Sequence, residues 1–262
     1  MSIDRSKFRV KFGSMPAWLC PTCDVGTLRE AIKDRIKIET GYSKLEHSED
    51  YWEPEFIINR FCSKMICTNP TCGEVVLVIG RGDVESYYDD EGTEWSDIFV
   101  PSATFPAVPM FRISDDWPPS VSHELKLSFG SIWSDAGASA NRLRTAVEHL
   151  LDHLAVKKTT LSKSGGKSRR VRLPLHDRII AFKQKNSVAA DLLLAIKWLG
   201  NAGSHANSQA IARDDVLDGM EIMEHVMHLL FDKQGANVSK LAKSINRKRG
   251  PIKRSKKIPK IF

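Results

Sequence analysis

Apolar positions in the C-terminal half of the chain repeat at the three- and four-residue steps of a helix. Leu143, Val147, Leu150, Leu151 and Leu154 make one stripe, and Val188, Leu192, Leu193, Ile196 and Leu199 make another. The pattern predicts helices over about 120–131, 135–156, 175–185, 187–200 and 213–233. The N-terminal part carries short apolar runs instead, such as Val75-Val-Leu-Val-Ile79, which suit a strand. Residues 101–119 combine prolines with aromatic side chains and read as a linker packed across a domain surface. No apolar run approaches the roughly 20 residues that span a bilayer. A soluble, cytoplasmic protein with no membrane attachment is the expectation.

Polar groups beside the two stripes define a first candidate site. Arg144 and Glu148 are four apart, so they lie one turn above each other at the edge of their helix. Lys197, Asn201 and His205 would align in the same way if the second helix ran on. Gly200 and Gly203 weaken a helix interior and let another backbone come close, so this helix is expected to break at Gly200. The result would be a polar site between two helices. A plainer reading stands beside it. Asn201 suits a helix cap, His205 a hydrogen-bonded helix boundary, and Arg144 with Glu148 an ordinary helix pair.

The stretch from about Ser120 to Lys233 resembles the bacterial domain of unknown function family 4145. The likeness rests on Arg144-x-x-x-Glu148-x-x-Leu151 and Gly200-Asn201-x-x-x-His205. It implies a HEPN-like helical bundle of the kind linked to prokaryotic defence and toxin systems, with a homodimer whose site is shared across a two-fold axis. Active HEPN ribonucleases need no metal and set an Arg ahead of a His with four to six residues between them. The matching positions here hold Trp198, Leu199 and Gly200. Lys197 lies just outside that window, and Arg142 or Arg144 could supply a guanidinium from the other helix. A catalytic set drawn on this resemblance is His205, Asn201, Arg144, Arg142 and Glu148.

Five cysteines give a second signal. Cys20-Pro-Thr-Cys23 and Cys67-Thr-Asn-Pro-Thr-Cys72 form two pairs on tight turns, and Cys62 stands apart. Two thiolate pairs on turns match a structural, tetrahedral zinc site, closed to catalysis by its four sulfurs. Strand-forming residues after the second pair suit a zinc ribbon. The residues between the pairs, Leu28 to Arg60, must loop out or form a helix and strand of their own. The odd count argues against a disulfide framework. A redox role for Cys20 and Cys23 would leave the second pair unexplained. Cys62 could replace Cys67 as a ligand.

Charge changes the picture once more. The formal net charge is +7, yet from Asn237 onward there are ten Lys or Arg and no acid, leaving a net −3 for the remainder. A tail of this composition cannot bury enough apolar area to fold alone and is expected to be disordered. Its Arg247, Lys248, Arg249, Lys253, Arg254, Lys256 and Lys257 suit a polyanion, whose counterions they would displace. A second basic stretch, 157–172, holds seven basic residues and no acid. Its Ser-Gly-Gly predicts a flexible loop, and Lys167, Arg169, Arg170 and Arg172 are its candidate phosphate contacts. A P-loop is excluded by spacing. His149 with His153, and Glu221, Glu224, His225 and His228, read as solvated helix faces more readily than as metal sites.

The expected architecture is α+β. A zinc-ribbon-like β region with its linker covers 1–118, a mainly helical HEPN-like domain 119–236, and the flexible basic tail 237–262. The expected role is a nucleic-acid-associated binding or regulatory protein, accessory to a prokaryotic defence system. A metal-independent RNA endonuclease and a purely structural interaction module are the alternatives. RNA and DNA remain equally open as partners.

Overall fold

The computed structural model describes residues 3–23, 25–90, 92–164, 167–203, 210–232 and 247. The N-terminal part is an antiparallel sheet of five strands: β1 (Leu28–Glu30), β2 (Ile36–Glu39), β3 (Asn59–Cys67), β4 (Val75–Asp89) and β5 (Gly92–Phe105). β1 and β2 share one edge of β3, with Leu28 opposite Cys67 and Ile36 opposite Cys62. β4 lies on the other edge of β3, and β5 follows β4 along a long hairpin. The segment between the cysteine pairs thus forms its own strands and a short helix, α1 (Gly41–Glu46).

Alternation decides which face is covered. Phe61, Met65, Cys67, Val76, Val78 and Phe99 point to one side and are buried. Ile66, Val75, Leu77, Ile79 and Phe105 are exposed. The covered side receives Phe12 and Trp18, whose rings meet at 88° and 6.0 Å. Trp18 in turn meets Trp133 of the helical part at 5.3 Å, and Phe8 meets Trp133 at 6.1 Å. Such tilted and edge-on pairs are favoured by ring quadrupoles beyond the area they bury. One apolar core therefore runs from the sheet into the helices.

Five helices follow: α2 (Pro119–Ser131), α3 (Ala136–His153), α4 (Leu175–Lys183), α5 (Ser187–Ala202) and α6 (Arg213–Phe231). They match the spans expected from the apolar period. Asp135 caps α3 by accepting from Ala138 N at 2.8 Å, and Asn186 caps α5 through Ala189 N at 3.0 Å. α3 is central, touching α2, α4, α5 and α6. Of the stretch 101–119 read as a linker, residues 101–105 instead complete β5 and Pro119 opens α2, while 106–118 pack across the surface, with Phe111 against Phe129 at 5.0 Å and Trp117 against His228 at 5.5 Å. Arg5 also reaches α6, donating to Glu221 at 2.9 Å and pairing with Asp218.

Three further expectations are corrected. The stretch 157–172 is not a flexible loop but a two-stranded hairpin, β6 (Thr159–Ser164) and β7 (Lys167–Arg172), with Thr159 opposite Arg172. Thr159, Thr160, Leu161 and Val171 favour pairing, which the charge of the stretch does not prevent. α5 does not break at Gly200; it continues to Ala202 because Gly200 is buried against α3, where packing outweighs propensity. The buried stripe of α5 is also rotated from the expected one. Val188 is 59 % exposed, while Ala189, Ala190, Leu193, Ile196, Lys197 and Gly200 face inward.

Candidate metal centre and polar helical face

The sheet brings the four paired cysteines together. Cys20 and Cys23 lie on a turn just before β1, Cys67 ends β3, and Cys72 sits on the turn into β4. The Cys20 and Cys72 sulfurs are 3.8 Å apart and those of Cys23 and Cys67 3.7 Å, with all four within 4.8 Å of one another. Thiolates about 2.3 Å from a tetrahedral ion would stand roughly 3.8 Å apart, so the donor set fits such an ion. Main-chain amides of Thr22, Gly26 and Asn69 each point at a sulfur, of Cys20, Cys23 and Cys67 in turn, at 3.4 Å. A side chain at Gly26 would place its Cβ 2.3 Å from the Cys67 sulfur, so glycine is needed there.

Electrostatics fit the same reading. Main-chain amides of Gly26 and Val25, with the Asn69 side chain, lower the Cys23 thiol to about 6. Burial, together with the neighbouring sulfurs, pushes the Cys67 thiol up to about 12. Four crowded sulfurs cannot all ionise without a cation among them. Cys62 is excluded from the set. It lies five residues before Cys67 and points to the opposite face of β3. Among the described residues no other cluster of this kind occurs, so neither histidine group forms one.

The helical site is built on the crossing of α3 and α5. A Cβ at Gly200 would fall 2.5 Å from the Arg144 Cβ, and one at Gly203 would fall 2.6 Å from the Gly137 carbonyl oxygen. These glycines let the two backbones approach, and Arg144 lies across the gap. Arg144 pairs with Glu148 at 3.5 Å, while the other Glu148 oxygen accepts from Arg172 of β7 at 2.7 Å. Lys197 lies on the same face of α5 as Gly200 and is only 9 % exposed. Its ammonium sits 3.3 Å from the centre of the Trp198 ring. Burial and the nearby Arg144 guanidinium lower its pKa.

The candidate residues thus divide. Arg144, Glu148 and Arg172 are brought together, and Asn201 occupies the last turn of α5. Arg142 faces the other way and pairs with Glu124 of α2 at 3.3 Å. Arg169 and Arg170 are exposed on the hairpin, Lys167 belongs to its second strand, and Arg247 is exposed. His205 lies outside the described residues, as do Lys248, Arg249, Lys253, Arg254, Lys256 and Lys257. Sequence reasoning missed Trp198 and His176, whose rings lie 6.1 Å apart, and undervalued Lys197. The signal was present: Leu193, Lys197 and Gly200 are spaced as one helical stripe.

No helix among the described residues is long and apolar enough to cross a membrane. No curated protein matches the chain, and no solved structure does. Residues 9–104 match a family model described as a domain of unknown function (DUF8608), and residues 128–248 match a second one, a domain of unknown function (DUF4145), which supports the resemblance drawn from Arg144, Glu148, Gly200 and Asn201.

Proposed function

We propose that this is a nucleic-acid-binding protein whose cysteine knuckles hold a structural zinc ion and whose basic hairpin meets the phosphate backbone. The observation that carries it is the link between Arg172 and Glu148. It fixes the hairpin to α3, so Arg170, two residues away on the same face of β7, extends the cationic surface begun by Arg144 and Arg172. The hairpin gives position and the tail 237–262 adds sequence-independent attraction. The zinc ion closes the sheet edge and leaves no open coordination site for chemistry. A role in a prokaryotic defence system, and dimerisation through the helical part, follow from the HEPN-like resemblance alone.

Fluorescence anisotropy with labelled RNA and DNA at several salt concentrations tests this. Binding should weaken steeply with salt, and the slope of log K against log salt should fall by about one per phosphate contact removed. Arg169→Ala with Arg170→Ala, and deletion of 237–262, should each reduce it. Affinity independent of salt in all three proteins would sink the reading.

Arg144 beside Glu148 and packed against Gly200 favours a rival, an RNA endonuclease with His205 in proton transfer. It requires RNA cleavage in chelator by the wild type, lost in a folded His205→Ala variant.

A further inference from the structure

We propose that the α4–α5 surface holds a seat for one unpaired nucleotide of a single strand, its phosphate taken by Lys197 and Arg144 and its base stacked on Trp198. The inference deepens the nucleic-acid reading and rests on it.

The usual order of charge and ring is reversed here. Lys197 is 9 % exposed and Trp198 is 56 % exposed. Lysine is almost never buried without a paired charge. Among the described residues no carboxylate lies within ion-pair distance of Lys197; its contact is the Trp198 ring. Glu148, the carboxylate beside Arg144, is already shared between Arg144 and Arg172. Three cations therefore face one carboxylate. Among the described residues the buried Arg144 Nε has no hydrogen-bond partner, a second sign that an acceptor is missing. A phosphate group supplies the charge that Lys197 lacks and the acceptor that Arg144 lacks, at once.

The rings supply the rest. The Lys197 ammonium covers part of the Trp198 ring, and His176 stands beside it at 49°. Trp198 is exposed as a residue, so a base can reach its ring from solvent. Stacking on an exposed ring next to a cation is how unpaired bases are held without sequence readout. A duplex keeps its bases stacked on one another and offers no such face.

The test uses the full-length protein, a labelled single-stranded oligoadenylate and a blunt duplex of equal length. Trp198→Ala should weaken single-strand binding roughly 5- to 100-fold and change duplex binding less than about twofold. Lys197→Met should weaken the single strand and lower the salt slope by about one, with folding checked by thermal melting. Trp198→Ala lies on the surface and keeps the test sound if Lys197→Met misfolds. AMP that displaces the strand upholds the seat and shows that it takes the free nucleotide. AMP without effect, while Trp198→Ala still costs strand affinity, upholds it for a unit within a strand. Unchanged single-strand binding in Trp198→Ala, with loss in the Arg169/Arg170 variant, overturns the seat alone. No binding of either nucleic acid by the wild type overturns the seat together with the broader reading.

Discussion

Arg144 lies in the space that a side chain at position 200 would need. A Cβ there would meet the Arg144 Cβ at 2.5 Å and the Ala140 carbonyl oxygen at 3.1 Å. Overpacking of this kind costs roughly 1–3 kcal/mol, against up to about 1 kcal/mol gained in helix propensity. Gly200→Ala should therefore lower stability in chemical denaturation. Gly130→Ala, where the nearest atom is an ordinary 3.4 Å away, should leave it unchanged or raise it. Equal effects at the two sites would contradict the packing account.

Metal analysis of the purified protein should find about one zinc per chain. Cys23→Ser or Cys72→Ser should lose it, and Cys62→Ser should keep it. Loss of the ion should reduce Tm by on the order of 10 °C, as a few kcal/mol would at this chain length. Full metal content in Cys23→Ser would rule out the four-cysteine site.

Two acids should give stability slopes of opposite sign. Burial alone would raise Asp152, but hydrogen bonds from Lys158 and from Arg178, at 2.7 and 2.6 Å, outweigh it and hold its carboxyl below the usual range. A depressed folded pKa stabilises above the unfolded value of about 3.9 and is lost as pH falls through the folded one. Asp152→Asn should cost about 3–5 kcal/mol at neutral pH, because it leaves the buried Arg178 charge without its anion.

Glu224 is the converse. Burial, with Glu221 nearby, raises its carboxyl. The protonated form is favoured in the fold, so its contribution is present at low pH and lost as pH rises through the raised value. Glu224→Gln should therefore stabilise the protein at pH 7 more than at pH 4. The comparison is made by urea denaturation at both values, and an equal effect would refute it.

The helix spans were legible because their apolar period is long, and the caps that open α3 and α5, Asp135 and Asn186, came only with the structure. The cysteine set was legible because two pairs on turns have few other uses. The hairpin β6–β7 was hidden, since serine and glycine turns inside a charged stretch look alike in loops and hairpins. The fate of Gly200 was hidden for another reason: propensity is local, while the contact with Arg144 spans two helices. Lys197 was aligned with Asn201 and His205 rather than with the buried stripe of Leu193 and Gly200. The separation of Arg142 from Arg144 follows from their offset of two, which turns them to different sides of α3.

The aromatic contact of Trp18 with Trp133 bears on how the molecule can be divided. The two matched regions, 9–104 and 128–248, stop short of the chain that joins them. A fragment cut at those limits would lose Ile3, Phe8, Phe111, Trp117, Val121 and Leu125, all buried in the intact protein. Each half would then present raw apolar surface to water where it now meets the other. The unit of inheritance is thus smaller than the unit of folding. A piece that behaves well in solution has to carry residues from 3 onward together with α6, whose Glu221 and Asp218 hold Arg5.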